Sequence, residues 1–199
     1  MWNEIRELFP VHESCVYLNN AGVSPPSIRV LEALEAYHAC HARHGCAELF
    51  TRYRHTGKRI KEILGALLSC PPDTLALTRN TSEGMNIVAQ GLDWNPGDIV
   101  LGLHHEYPAN VYPWWNLEEK GVVFRQLPSS ACPSDFSLLE QGMNDRVRLV
   151  TVSGVNWCTG HVVDLDRLGR LCSRRNALLV VDVAQSLGVV PQHPERACV

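Results

Sequence analysis

The 199-residue sequence has little net charge and no apolar run long enough to cross a membrane. Its formal net charge is -3 at pH 7, and it shows neither a basic face nor an acidic tail. The opening residues, MWNEIRELFPVHES, lack the basic and then apolar order of a secretory signal peptide. We therefore expect a cytoplasmic protein that binds neither nucleic acid nor a membrane.

The sequence also lacks any C-x-x-C pair, although it contains eight cysteines. These cysteines are scattered along the chain: Cys15, Cys40, Cys46, Cys70, Cys132, Cys158, Cys172 and Cys198. Because no secretory signal precedes them, we expect reduced thiols, several of them buried, rather than a disulfide framework.

The segment HACHARHGC could in principle bind a metal ion. Its candidate ligands are His38, Cys40, His41, His44 and Cys46. On a helix only His41 and His44, or Cys40 and His44, would share a face, and no second ligand pair stands out elsewhere. We interpret the segment as a solvated helix end before Gly45, and we expect no metal site.

Apolar segments alternate with amphipathic ones over most of the chain. Strands are predicted at 74–79, 98–103, 122–127, 147–156 and 178–184, and helices at 27–45, 57–70, 82–92, 108–121, 134–143 and 164–176, after a short leading helix. Pro113 is a weak point in the helix predicted over 108–121. Continuous apolar strands that alternate with helices indicate an α/β fold, with a mainly parallel sheet covered by helices on both faces.

Ligands of such sheets bind at the carboxyl ends of the strands. The segments at these ends are rich in polar and aromatic residues, and they fall at 79–82, 104–108, 153–157 and 182–185. We therefore expect Asn80, Tyr107, Asn156 and Asp182 to lie at one edge of the sheet.

Each of these positions suggests a contact, and each also has an ordinary structural explanation. Thr81 and Ser82 begin a helix, where free N–H groups, hydroxyls and the helix dipole suit a phosphate; an ordinary helix cap would look the same. Tyr107 could stack on a flat ligand, but aromatic residues at strand ends are often core. Asn156 could hydrogen-bond a ring substituent, and Asp182 ends a buried strand.

The combination of these groups has a more specific meaning. A phosphate site, a stacking ring, an amide and a buried carboxylate at one crevice suit pyridoxal 5'-phosphate (PLP). The carboxylate would keep the pyridine nitrogen protonated, so that the ring can act as an electron sink.

Five segments in order resemble one enzyme family. They are VYLNNAGVSPPS, TRNTSEGMN, EYPANVYPW, SGVNWCTG and VVDVAQSLG, which together span nearly the whole chain. The chain resembles the class V aminotransferases, the fold-type I PLP-dependent enzymes that include cysteine desulfurases, kynureninase-like proteins and isopenicillin-N-epimerase-like proteins.

This resemblance assigns roles to individual residues. It implies that Thr81 and Ser82 bind the cofactor phosphate and that Asp182 binds the pyridine nitrogen. Asn156 and Gln185 would contact the ring near its hydroxyl group. Tyr107 would stack on the ring; desulfurases have a histidine at this position, which favours the epimerase-like branch. The resemblance also places Asn19 and Asn20 near the mouth of the active site, close to the substrate.

The resemblance implies a three-layer α/β/α large domain that binds PLP, over residues 16–199, after an N-terminal helical arm over residues 1–15. In the family, the Schiff-base lysine and a small C-terminal domain follow the D-x-x-Q motif. Here the lysines are Lys58, Lys61 and Lys120, and none follows Asp182. We therefore expect a C-terminally incomplete domain in which the catalytic amine is absent.

The functional prediction is a PLP-dependent enzyme that acts on a small amino-acid substrate, present as an N-terminal fragment of a protein that is homodimeric when complete. Transamination, epimerisation, desulfuration and lyase chemistry remain open. One alternative is a catalytically inactive remnant or interaction protein on the same scaffold. A nucleotide-binding α/β module is disfavoured, because the strand-to-helix turns contain neither G-x-G-x-x-G nor G-x-x-x-x-G-K-[ST].

Overall fold

A computed structural model describes residues 2–128 and 136–190. The chain forms two compact units, Met1–Glu62 and Ile63–Val199. The predicted boundaries, an arm over 1–15 and a large domain over 16–199, stay a prediction.

The first unit is helical. It contains α1 (Trp2–Arg6), a 3-10 helix (Pro10–Glu13), α2 (Ile28–Tyr53) and the start of α3 (Thr56–Leu68). Gly45 interrupts α2 with φ 64° and ψ -161°, a conformation that glycine adopts readily. The helix predicted to end at Gly45 therefore bends there and continues.

The second unit is built on a parallel sheet. Its strands are β1 (Ile99–Leu103), β2 (Val123–Leu127), β3 (Val147–Ser153) and β4 (Leu178–Asp182), in the order β2-β1-β3-β4. Its helices are the rest of α3, then α4 (Thr81–Gly91), α5 (Tyr112–Trp115), α6 (Phe136–Gly142) and α7 (Leu165–Arg174), with 3-10 helices at Pro72–Thr74, Pro108–Asn110 and Asn116–Lys120.

Helices cover both faces of the sheet because its strands are apolar on both sides. Leu101 of β1 packs in one cluster with Phe136 of α6 and Leu168 of α7. Val100, the preceding residue, packs on the opposite face with Trp114 of α5. Alternate residues of a strand point to opposite faces, so the three-layer α/β/α prediction is confirmed.

The strand predicted over 74–79 is wrong. The structure has the 3-10 helix Pro72–Thr74 followed by irregular chain. Leu77 is 51% exposed, and no described strand pairs with this segment. A β-strand needs a hydrogen-bonding neighbour, and the apolar pattern of TLALTR cannot supply one.

The helix predicted over 108–121 is divided into three short helices. The break falls at Val111, where φ is -124° and ψ is -58°. Pro113 lies in the first turn of α5, where a missing N–H costs nothing because that group has no intrahelical partner. Within the described residues, no helix is both long and apolar enough to cross a membrane.

Candidate functional site

The carboxyl ends of three adjacent strands form the candidate site. Tyr107 follows β1, Asn156 follows β3, and Asp182 ends β4. The three strands are parallel and neighbours in the sheet, so their ends lie at one edge. Ser153 of β3 is in register with Asp182, and Gly154 N–H donates to the Asp182 carbonyl at 2.9 Å.

The start of α4 has the features expected of an anion site. Asn80 caps the helix, and its Oδ1 accepts a hydrogen bond from Glu83 N–H at 2.9 Å. The Glu83 carboxylate bonds Arg79 instead of completing a reciprocal capping box, with 2.6 Å between Arg79 N and Glu83 Oε2. Hydrogen bonds to Arg79 lower the pKa of Glu83. Thr81 and Ser82 occupy the first turn, whose N–H groups have no partner within a helix.

A cavity joins this helix start to the end of β1. Its volume is about 360 Å³. The lining residues come from α4 and from the segment after β1: Ser82, Asn86, Tyr107, Pro108, Ala109, Tyr112, Pro113 and Asn116. Ser82 and Tyr107, the predicted phosphate-binding and stacking residues, therefore line one space.

The ring of Tyr107 is available to a ligand and is braced from one side. It is 49% exposed and packs edge-on against Trp157, with 5.8 Å between ring centroids. Trp157 is itself held, because its Nε1–H donates to the His105 carbonyl at 3.1 Å. The backbone of His105 has φ 63°, which turns the chain before Tyr107.

Asn156 organises the turn after β3. Its Oδ1 accepts hydrogen bonds from the N–H groups of Cys158 and Thr159, each at 3.0 Å, and from the Thr159 hydroxyl. Its Nδ2 donates one hydrogen to the His105 carbonyl at 3.1 Å. An amide nitrogen carries two hydrogens, so within the described part of the chain Asn156 keeps one for a ligand.

Asp182 presents a buried carboxylate at the same edge. It is 6% exposed, and its Oδ1 accepts a hydrogen bond from Ala184 N–H at 2.9 Å. An ionised carboxylate has about four acceptor positions, which leaves capacity for a donor on a ligand. Gln185 is half-buried in the turn that follows.

The loop after β3 packs tightly on that turn. A Cβ at Gly154 would lie 2.9 Å from Ser186 Oγ, closer than non-bonded atoms approach. Glycine at this position allows the segments that carry Asn156 and Gln185 to lie together.

Glu106 is a residue of this edge that the sequence patterns did not reveal. It is 7% exposed, and its Oε1 accepts a hydrogen bond from Ser153 N–H at 2.9 Å. Its Oε2 accepts hydrogen bonds from the Ser153 hydroxyl and from Asn110 Nδ2. Burial raises its pKa, and the charge of Asp182 adds to this rise. A charged residue just before the predicted stacking residue was the one available signal.

Asn110 extends this buried polar network. It is fully buried, and its Oδ1 accepts hydrogen bonds from Trp114 Nε1–H at 3.2 Å and from the Thr151 hydroxyl. Buried polar groups are stable when they are hydrogen-bonded. The network therefore ties the segment after β1 to β3 directly beneath the site.

Asn19 and Asn20 belong to the first unit, and both are exposed there. The Asn19 carbonyl accepts a hydrogen bond from Gly22 N–H at 3.2 Å, and Asn20 Oδ1 accepts one from the Ser24 hydroxyl at 3.4 Å. Their predicted position near the substrate stays a prediction.

Lys120, the lysine of the second unit, does not supply an amine at this edge. Lys120 lies three residues before the start of β2, so it is at the amino ends of the parallel strands. Its Nζ donates to Gln90 Oε1 at 2.9 Å, near the end of α4 that is remote from Ser82. Lys58 and Lys61 lie in the first unit, where Lys58 pairs with Glu62 at 3.8 Å.

The cysteines and histidines are the other candidate ligands that the sequence offers. Among the described residues, no group of three or more His, Cys, Asp or Glu could hold a metal ion. In HACHARHGC, His44 Nδ1 lies 3.2 Å from Glu48 Oε2, and Cys46 Sγ lies 3.9 Å from His41 Nε2. The described cysteines are free thiols, and burial raises the pKa of Cys172 to about 11. Cys132 and Cys198 lie outside the described residues.

Solved structures with this architecture include a PLP-containing enzyme and a cysteine desulfurase. A C-DES mutant with glycine covalently linked to its PLP cofactor matches with a TM-score of 0.90 and 26% identity, over 98% of this chain and 53% of that one. The cysteine desulfurase CsdA of Escherichia coli matches with a TM-score of 0.85 and 26% identity, over 99% and 52%. The α/β fold is therefore that of the large domain of these enzymes.

Curated relatives point to the same family. A probable cysteine desulfurase of Methanothermobacter thermautotrophicus is 31% identical over 189 residues, which is 93% of this chain and 47% of the relative. Cysteine desulfurase CsdA of Escherichia coli K12 is 28% identical over 192 residues, 92% and 48%. The chain spans about half the length of these relatives. The family model for class-V aminotransferases matches residues 16–196, and the chain belongs to the class-V aminotransferase family.

Proposed function

We propose that the second unit binds pyridoxal 5'-phosphate and contributes the cofactor-binding half of an enzyme that acts on an amino acid. The observation that carries this proposal is the cavity lined by both Ser82 and Tyr107. It joins a helix N-terminus to an exposed aromatic ring, at the same sheet edge as the buried carboxylate of Asp182.

The groups of the site fit this cofactor. The N–H groups and hydroxyls of Thr81 and Ser82 would hold the phosphate at the start of α4, and Tyr107 would stack on the ring. Asp182 would accept a hydrogen bond from the protonated pyridine nitrogen. The bound cofactor supplies an electron sink for the substrate carbon that carries the amino group.

Two amides complete the proposed site. Asn156 would donate the second hydrogen of its Nδ2 to the ring oxygen, and Gln185 would contact the same part of the ring. The hydrogen bonds that hold Asn156 to the turn and to His105 orient the amide before the ligand arrives, which reduces the entropy lost on binding.

The substrate class is an amino acid, and the relatives favour the breaking of a carbon–sulfur bond. One is described as a probable cysteine desulfurase and another as a cysteine desulfurase, and C-DES is described as a cystine C-S lyase. Tyr107 departs from the histidine expected of desulfurases, so epimerase-like chemistry is the competing proposal within the family.

Lys120 would not attach the cofactor covalently, since it lies at the opposite sheet edge. This same observation favours a second candidate function, a non-catalytic protein on the same scaffold. The two candidates differ in whether a longer protein that contains this chain turns over an amino acid.

A PLP titration tests the proposal. We expect the 199-residue chain to bind PLP weakly and reversibly, with a shift in the cofactor absorbance, and to lose binding in Asp182→Ala and Ser82→Ala. The exposed Glu118 provides a control variant, Glu118→Gln, which should bind like wild type. Equal binding by all four proteins would contradict the proposed site.

The chain mixed with PLP is reduced with borohydride and its peptides are mapped. This experiment tests which amine attaches the cofactor covalently. We expect scattered, low-level labelling of lysines. Specific labelling of Lys58, Lys61 or Lys120 that disappears in Asp182→Ala would show that this chain carries its own catalytic amine.

A further inference from the structure

Glu106 has no role in the proposed cofactor contacts, yet its carboxylate links the two strand ends that carry them. It directly precedes Tyr107, and its side chain reaches Ser153, 47 residues further along the chain. Both carboxylate oxygens are used: Oε1 by Ser153 N–H, and Oε2 by the Ser153 hydroxyl and Asn110 Nδ2.

The contact with Ser153 continues to Asp182. Ser153 is the register partner of Asp182 across β3 and β4. The next residue, Gly154, donates its N–H to the Asp182 carbonyl at 2.9 Å. A shift of Ser153 would therefore move the backbone that holds the Asp182 carboxylate.

The surroundings of Glu106 make this link stiff. The carboxylate is buried, and its donors come from the end of β3 and from the 3-10 helix Pro108–Asn110. Hydrogen bonds to a charged acceptor in a site of low dielectric are stronger than exposed ones. Asp182 is the charged group that acts on Glu106, and no described lysine or arginine forms an ion pair with Glu106.

We propose that Glu106 is a positioning residue for the carboxylate that recognises the ring nitrogen: through Ser153 and Gly154 it fixes Asp182 opposite the ring that Tyr107 stacks on. This inference rests on the proposed function. In this proposal Glu106 makes no contact with the cofactor or the substrate, and its contribution passes through Asp182.

The proposal is tested by a pair of ligands that differ at the ring nitrogen. Binding of PLP and of its 1-deaza analogue, in which carbon replaces that nitrogen, is measured for wild type, Glu106→Gln, Asp182→Asn and the double variant. We expect Glu106→Gln to weaken PLP binding about tenfold and to change analogue binding less than twofold. We expect the double variant to bind PLP no more weakly than Asp182→Asn alone.

Two further measurements and one further variant distinguish a role in positioning Asp182 from a general loss of the fold. Circular dichroism melting establishes that each variant is folded, with Glu118→Gln as the exposed control. Ser153→Ala keeps the carboxylate of Glu106 and removes one hydrogen bond to it, so it should weaken PLP binding by less than Glu106→Gln does. Hydrogen exchange at Gly154 N–H should accelerate in Glu106→Gln and not in the control.

Three outcomes in the variants would overturn the proposal while leaving the proposed function intact. One is equal weakening of both ligands by Glu106→Gln, another is additive effects in the double variant, and the third is unchanged exchange at Gly154. If wild type binds neither ligand, the proposed function itself fails, and this proposal fails with it. Wild-type binding of PLP with a normal Glu106→Gln variant would reject only the role of Glu106.

Discussion

Glu106 and Asp182 place two buried carboxylates close enough at one sheet edge for the charge of one to act on the other. Such a pair is costly in water-free surroundings unless hydrogen bonds or a cation offset the charge. Glu106 has three hydrogen bonds from protein donors. For Asp182, the protonated ring nitrogen of the proposed cofactor would offset the charge.

Stability should depend on pH through Glu106. Burial, followed by the charge of Asp182, raises the pKa of Glu106 above its usual 4.5, so the folded protein holds this proton more tightly than the unfolded chain. The stabilising contribution is present below the usual pKa and is lost as pH rises through the raised pKa. The unfolding free energy of wild type minus that of Glu106→Gln should therefore fall over that range.

Urea unfolding at several pH values measures this difference, with Glu118→Gln as the exposed control. Parallel curves for wild type and Glu106→Gln would show that Glu106 keeps the same pKa in the folded and unfolded states.

Helix α4 has a capped start at the place where the phosphate contact is proposed. The Asn80 cap satisfies Glu83 N–H, and the salt bridge between Arg79 and Glu83, with 2.9 Å between nitrogen and oxygen, occupies the Glu83 carboxylate. In the proposed site, the N–H groups of Thr81 and Ser82 would contact the phosphate. The hydrophobic anchor of the helix lies further along, where Met85 and Ala89 are buried.

Loss of the Asn80 cap should destabilise the second unit. Asn80→Ala removes the acceptor for Glu83 N–H and is expected to cost about 0.5–2 kcal/mol. Asn80→Asp keeps an acceptor oxygen at this position and should cost less. Chemical denaturation of the two variants and wild type measures the difference. Equal losses in Asn80→Ala and Asn80→Asp would show that the cap hydrogen bond contributes little.

At the scale of the whole molecule, the two units differ in how many of their side chains are buried. Within the described part of the first unit, the buried residues are Cys40 and Leu49. The second unit contains two apolar clusters, one on each face of its sheet. Large apolar side chains are nevertheless exposed in both units, among them Val16, Leu18 and Val189. The outer strands β2 and β4 also have one edge without a described partner strand.

We expect the 199-residue chain, expressed alone, to self-associate or to bind the dye ANS, because exposed apolar surface and open sheet edges favour association. Light scattering after size-exclusion chromatography, together with ANS fluorescence, measures both. A monomer that unfolds in one cooperative transition, with little dye binding, would contradict this expectation.

The sequence alone determined the four strands and the edge at which the site lies. The strands predicted at 98–103, 122–127, 147–156 and 178–184 all formed, within a few residues of their predicted ends, because continuous apolar runs are stable only when both faces are covered. Once the strands are parallel, residues that follow them must share an edge. The shared edge of Tyr107, Asn156 and Asp182 could therefore be predicted from the order of strands and helices along the chain.

Only the tertiary structure decided which residues hold that edge together. The Glu106 carboxylate is hydrogen-bonded to Ser153, and Ser153 is in register with Asp182. The register between strands that are far apart in sequence cannot be recognised in a local sequence pattern. The segment 74–79 is not a strand for the same reason. Its apolar alternation indicates that one face could be buried, but the pattern cannot provide the neighbouring strand with which it would pair. Local sequence specifies the burial preference of each segment, whereas partners across the sheet are set by how the segments pack.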